Sequence, residues 1–172
     1  MLSSLRNKLY QSILQIKKEL EDARKEGEKV DLDYDLPRVA AGCEYAGMEC
    51  CGFSHHSNHI KRPDIRKPFS PLLETALKAQ QPGLKKLPSV VFKPKRIRIF
   101  NYQNGETRFI REVEKYIGTC AEDNAANNVL YNLAIQQRPS SLKQLNFMHP
   151  IRPRTMKRIR MCGVCQNLFT EP

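Results

Sequence analysis

The sequence has no tryptophan and no apolar run long enough to cross a bilayer, which excludes a helical integral membrane protein. Its N-terminal stretch, MLSSLRNKLYQSILQIKKELEDARKEGEK, lacks the apolar core of about 7–15 residues and the small-residue cleavage site of a secretory signal. The expected location is therefore the cytoplasm, or outside the cell by a route that needs no classical signal peptide. Internal repeats and low-complexity tracts are also missing, which sets solenoids aside.

Acidic charge is scarce over most of the chain. Residues 1–35 carry 7 Lys/Arg against 8 Asp/Glu, whereas residues 36–172 carry 22 against 10. The excess is bunched in KRPDIRK (61–67), KKLPSVVFKPKRIR (85–98) and RPRTMKRIR (152–160). Such a field attracts polyanions, nucleic acid first, by releasing counterions from phosphates. The remaining composition is globular, and 172 residues leave room for one domain plus an appendage.

Along the chain, Leu2, Leu5, Leu9, Ile13, Ile16 and Leu20 recur at spacings of three and four, which predicts an amphipathic helix ending near Gly27. Residues 1–31 read as a helical extension that docks on its own domain, on a partner or on a delivery apparatus. DLDYDLP (31–37) reads as an acidic linker. Residues 36–57 read as a hairpin turning at Ala46-Gly47. LLETALKAQQ (72–81) is expected to be a short helix with Ser70 as N-cap and Pro71 at its first position. VVFKPKRIRIFNY (90–102) has strand character and Asn104-Gly105 is a turn signal; residues 107–117 follow as strand or helix. A second long helix is expected from Cys120 to Gln137, with Glu122 and Asp123 in the first turn, where the helix dipole favours acids. Residues 138–153 read as loop, TMKRIRM as a short extended stretch, and CGVCQNLF as the start of a last helix.

The six cysteines are Cys43, Cys50, Cys51, Cys120, Cys162 and Cys165. An even count permits disulfides, but in a long chain without a secretion signal a Cys-x-x-Cys is more often a metal clamp or a redox pair. The surroundings lack the βαβ pattern of a thioredoxin-like redox protein. Cys43, Cys50 and Cys51 read as half-buried strand residues, and Cys50 and Cys51 point to opposite faces. Cys120, Cys162 and Cys165 sit at two helix starts, where free backbone N–H groups lower a thiol's pKa. Three such thiolates make a catalytic zinc site with a fourth position open to water. Glu122, two residues past the first ligand, can take a proton from that water and return it to a leaving group without binding the metal.

Cys120-Ala121-Glu122, then 41 residues between Cys120 and Cys162, then Met161-Cys162-Gly163-Val164-Cys165, resembles the signature of the zinc-dependent nucleobase deaminases, the cytidine-deaminase-like superfamily. Within it the layout looks most like the deaminase domains of bacterial polymorphic toxins, with GMECCGFSHHS (47–57) as a loosely similar hairpin and Ser/His segment; that likeness implies an immunity or delivery protein as the partner of the N-terminal helix. The resemblance implies an α/β fold of three layers, α/β/α, over a mixed sheet, in which residues 36–172 form the zinc domain. It implies Zn2+ on Cys120, Cys162 and Cys165, Glu122 as the proton shuttle, and hydrolytic loss of ammonia from cytosine or adenine in nucleic acid or nucleotide. His55 and Ser57 are then expected to line the substrate pocket, and Arg152 and Arg154 to grip a phosphate. The chain departs from the pattern at Met161, where proline is expected. It ends seven residues after Cys165, so a fold shortened at its C-terminus is expected. The rival reading is a non-catalytic zinc module that binds nucleic acid. It needs a fourth ligand from Cys43, Cys50, Cys51, His149 or the histidines at 55–59.

Overall fold

The structure, a computed structural model, describes residues 2–54, 69–79, 94–103, 106–116, 120–133 and 135–172. Helix α1 (Leu2–Lys25) follows from the apolar stripe and is closed by Gly27, whose φ of +88° suits the left-handed C-terminal cap. The Glu28 N–H reaches back to the Ala23 carbonyl at 3.0 Å, and Arg24 and Lys25 complement the dipole in the last turn. The stripe Leu5, Leu9, Ile13, Ile16 and Leu20 is buried against Ala40, Phe53, Met148 and Ile151. The helix thus docks on the sheet of its own chain. The expected acidic linker contains one helical turn, α2 (Leu32–Asp35), capped by the Asp31 carboxylate, which accepts the Asp33 N–H at 2.9 Å.

Strands β1 (Ala40–Tyr45) and β2 (Met48–Phe53) form the expected hairpin. Both turn residues have positive φ, +50° at Ala46 and +79° at Gly47, the combination that matches the right-handed twist of the flanking strands. Beyond β1 lie three two-residue strands, β5 (Asn146–Phe147), β6 (Ile151–Arg152) and β7 (Lys157–Arg158). The sheet order is β2-β1-β6-β7, with β5 also paired to β1. Strand β1 is antiparallel to both β2 and β6, so those two run the same way but never pair. The mixed sheet expected from the sequence is therefore corrected. Every described pairing is antiparallel: short turns join β1 to β2 and β6 to β7, and the long connection through α3 and α4 returns the chain antiparallel to β1. The basic TMKRIRM stretch contributes an edge strand whose Lys157 and Arg158 face solvent, which explains its charge.

Alternation along the strands sends Ala40 and Phe53 toward α1 and Ala41, Cys43 and Cys50 toward the other face. There lie α3 (Pro71–Ala79), α4 (Ala121–Asn132) and α5 (Gly163–Leu168). The result is α+β, with helices covering both faces of an antiparallel sheet. The Ser70 hydroxyl accepts the Leu73 N–H at 3.4 Å and Pro71 opens α3, as its sequence predicts. Helix α4 stops at Asn132, short of Gln137, because Leu133 turns extended and becomes buried; a 3-10 turn, Ile135–Gln137, follows. The stretch 107–117, which reads as strand or helix, falls on strand β4 (Glu106–Tyr116) as far as it is described, paired antiparallel with β3 (Pro94–Gln103) and with a register shift at Ile99/Phe100. The Asn104-Gly105 turn lies outside the described residues.

Helix α4 meets β2 backbone to backbone. A Cβ added at Gly52 would fall 2.1 Å from the Ala125 nitrogen and 2.3 Å from the Ala121 oxygen. Asparagines fix the position along the strand. Asn124 and Asn128 donate from their side-chain amides to the carbonyls of Phe53 and Cys51, at 2.7 and 2.9 Å. The spacings agree, since four helical residues rise about 6 Å and two strand residues about 6.7 Å. Those carbonyls lie on the outer edge of an edge strand, so the helix also closes that edge to other chains. Asn127 Oδ1 accepts the Ser70 N–H at 2.8 Å and ties α3 to the same helix.

Gly52→Ala is expected to abolish the cooperative fold, since only backbone surrounds the site and something must shift. Asn128→Ala, which strands the Cys51 carbonyl, should cost about 1–3 kcal/mol in urea unfolding. A wild-type midpoint for either variant would contradict this account of how α4 is held.

Candidate metal centre

Cys120 and Cys162 are the N-cap residues of α4 and α5, with extended backbones at φ/ψ of −69°/149° and −70°/159°. Neither side chain caps its helix. The sulfurs turn toward each other instead, with Cys120 Sγ 3.5 Å from Cys162 Sγ. Cys165, one turn into α5, brings its Sγ to 3.5 Å from Cys162 Sγ. The three sulfurs lie within 4.8 Å of one another and can hold a metal ion. A tetrahedron with metal–sulfur bonds of about 2.3 Å has edges of about 3.8 Å, so the set fits a zinc ion with little adjustment.

Cys120 is 4% exposed and Cys165 is fully buried. The Cys120 thiol is held well above the ordinary thiol range, first by its hydrogen bond with Cys162, then by burial and the nearby Asp123. Cys165 is raised in the same direction by hydrogen bonds with Cys120 and Cys162, then by burial and Asp123. The thiol-lowering effect expected of helix starts is therefore outweighed. Three sulfurs crowded together in a buried site cannot all carry charge unless a cation shares it. Asp123, fully buried, places Oδ1 3.9 Å from Cys165 Sγ and adds to that demand.

A cleft of about 430 Å³ opens over the cluster, with Cys120, Cys162 and Glu122 among its lining residues. Glu122 is 4% exposed, so it belongs to the buried part of the lining. Tyr34, Arg38 and Arg160, all exposed, line the mouth together with Asp33. Among the described residues no fourth His, Cys, Asp or Glu joins the three cysteines. Cys43, Cys50, Cys51 and His149 stand outside the cluster. His55, His56, Ser57 and His59 lie outside the described residues.

The other expected site residues fall elsewhere. Arg152 is exposed on β6, and Arg154 pairs with Asp33, itself at the mouth of the cleft. Neither arginine lines the cleft. Asp33, Tyr34, Arg38 and Arg160 were missed by sequence reasoning. An aromatic residue inside an acidic stretch, Asp-Tyr-Asp, is the one signal available for the first two. No family model, curated protein or solved structure matches this chain.

Purified protein is expected to bind one zinc per chain. Cys120→Ser, Cys162→Ser and Cys165→Ser should each lose it, while Cys51→Ser keeps it, as read by metal analysis of the dialysed protein.

The raised thiols also set a pH dependence. Metal-free protein keeps protons on Cys120 and Cys165 that the unfolded chain releases above about pH 8.5, so its stability should fall as pH rises past that value. With zinc on three thiolates that the unfolded chain protonates below about pH 8.5, stability should instead rise from pH 7 toward that value, offset in part by Cys43, whose thiol burial raises. Thermal unfolding at pH 7 and above pH 9, with chelator or with zinc, reads the difference; a metal-free midpoint that rises with pH would refute it.

Proposed function

We propose that this chain is a zinc-dependent hydrolytic deaminase of a nucleobase, cytosine or adenine, in nucleic acid or nucleotide, and that it belongs with toxin-like effector deaminases. The observation that carries the reading is Glu122. It lines the same cleft as Cys120 and Cys162, two residues past the first thiol, and it is not part of the metal-ligating cluster. Zinc on the three thiolates would supply a water acidified for attack at neutral pH. Glu122 then accepts a proton from the attacking water on its carboxylate and returns it to the departing amine, which leaves as ammonia while a carbonyl remains on the ring. Its place in the first turn of α4 sets its charge beside the positive end of the helix dipole.

Incubation of zinc-loaded protein with single-stranded DNA and RNA, followed by sequencing, should reveal C-to-U or A-to-I changes. Glu122→Gln should lower the rate at least about 100-fold while leaving the zinc content unchanged. Equal rates in the two proteins would dispose of the proton-shuttle role. The rival, a non-catalytic zinc module that holds nucleic acid, draws support from exposed Arg152, Lys157 and Arg158. A fourth protein ligand found on bound zinc, with no base change in either nucleic acid, would establish it instead.

A further inference from the structure

We infer that the cleft takes one nucleotide unit of a single-stranded nucleic acid, with Arg38 and Arg160 holding the strand's phosphates and Tyr34 stacking on a base at the mouth; the inference rests on the deaminase reading and names its substrate. Three observations carry it. First, the chemistry is recessed. Cys120 and Glu122 are each 4% exposed at the floor, so a base that remains stacked in a duplex cannot reach them. A base in a single strand leaves its neighbours at least cost.

Second, charge is arranged at the mouth. Arg38 precedes β1 and Arg160 follows β7, so two separate segments bring exposed arginines to the lining of one cleft. A planar guanidinium suits phosphate oxygens through paired hydrogen bonds. The adjoining β6–β7 hairpin adds exposed Arg152, Lys157 and Arg158, more positive charge than a lone nucleoside monophosphate can use. The acid at the mouth, Asp33, is engaged by Arg154, which reduces its repulsion of a polyanion.

Third, Tyr34 is 72% exposed although it lines the cleft. It sits on α2, a single turn that buries no residue and is held by the Asp31 cap and the Asp33–Arg154 pair. An exposed aromatic ring beside two guanidinium groups is the pairing that binds single strands without strict sequence preference.

The test uses full-length, zinc-loaded protein in the Glu122→Gln background, so that binding is read without turnover. A short fluorescent mixed-sequence strand, as DNA and as RNA, is titrated at several salt concentrations by anisotropy. Arg38→Ala/Arg160→Ala should weaken binding at least tenfold and flatten the salt slope by about 1.4, two phosphate contacts at about 0.7 each. Tyr34→Ala should weaken binding without changing the slope, and Tyr34→Phe should restore it. Arg6→Ala/Lys18→Ala, which removes two exposed charges from α1 on the opposite layer, should leave the slope unchanged. Equal slope changes in the two double variants, or none in either, would overturn the inference, provided zinc content and circular dichroism match the parent. The two readings fail separately. Arginine-dependent binding with no base conversion by wild type removes the deaminase and keeps the strand site. Conversion of strand and free nucleoside at rates indifferent to Arg38 and Arg160 keeps the deaminase and removes the strand site.

Discussion

The contact between Gly52 and the backbone of α4 determines where the site can be. With no side chain between them, the helix approaches β2 until Ala121 and Ala125 lie where a Cβ would stand. Cys120 and Glu122 flank Ala121 directly, so the depth of that approach sets the height of the first thiol and of the carboxylate above the sheet. Apolar burial alone would leave the helix free to slide, because it has no direction. Asn124 and Asn128 remove that freedom by matching helical rise to strand rise at the Phe53 and Cys51 carbonyls. The run of asparagines, an unpromising composition for a helix interior, is thus what gives the helix its register.

The second half of the site is held differently. Helix α5 has six residues, too few to persist alone in water. Its C-terminal end is anchored instead. Phe169 is fully buried with its ring 4.6 Å from that of Phe147 on β5. Lys143 donates to the carbonyls of Phe169 and Gln166 at 2.7 and 3.1 Å, and Thr170 donates back to the Lys143 carbonyl at 2.9 Å. At the other end the Gln166 amide donates to the Met161 carbonyl at 2.8 Å and stiffens the loop that carries Cys162. Met161, where the resemblance leads one to expect proline, is itself buried. A packed side chain and an amide hydrogen bond thus restrain this loop without a proline.

Long-period features were legible in the sequence. The α1 stripe, the Ala46-Gly47 turn, the Ser70-Pro71 cap and the two helix starts at cysteine each rest on local rules that tertiary packing did not override. The short strands after α4 were not legible. Two-residue pieces such as β5 and β6 have no period of their own, and they exist only because β1 offers an open edge to pair with. The cleft mouth was equally hidden. Tyr34, Arg38 and Arg160 come from segments that read as linker, hairpin and basic stretch, and their meeting depends on how the α1–β1 connection folds against the β6–β7 hairpin. The convergence of three sulfurs followed from chemistry rather than pattern: helix starts attract thiolates, and a pair separated by two residues gains from a third ligand.

The charge balance of the site explains why these parts belong together. Three thiolates, Glu122 and Asp123 place five potential negative charges within one buried region, and two helix N-termini offset only part of them. Without a cation, Cys120 and Cys165 meet this excess by keeping their protons. On the deaminase reading proposed above, a divalent ion would share the charge of the sulfurs, while Glu122 and Asp123 remain the acids nearest them. A polyanion entering the cleft would then meet their field unless basic groups offset it. Arg38 and Arg160, exposed and lining the same cleft, are placed to do so, and Asp33, the acid among the exposed lining residues, is paired with Arg154. The proposed proton shuttle and the proposed phosphate contacts are therefore compatible demands on one cleft, an acid among its buried residues and bases among its exposed ones. A substrate with a neutral ring and a charged backbone would meet both.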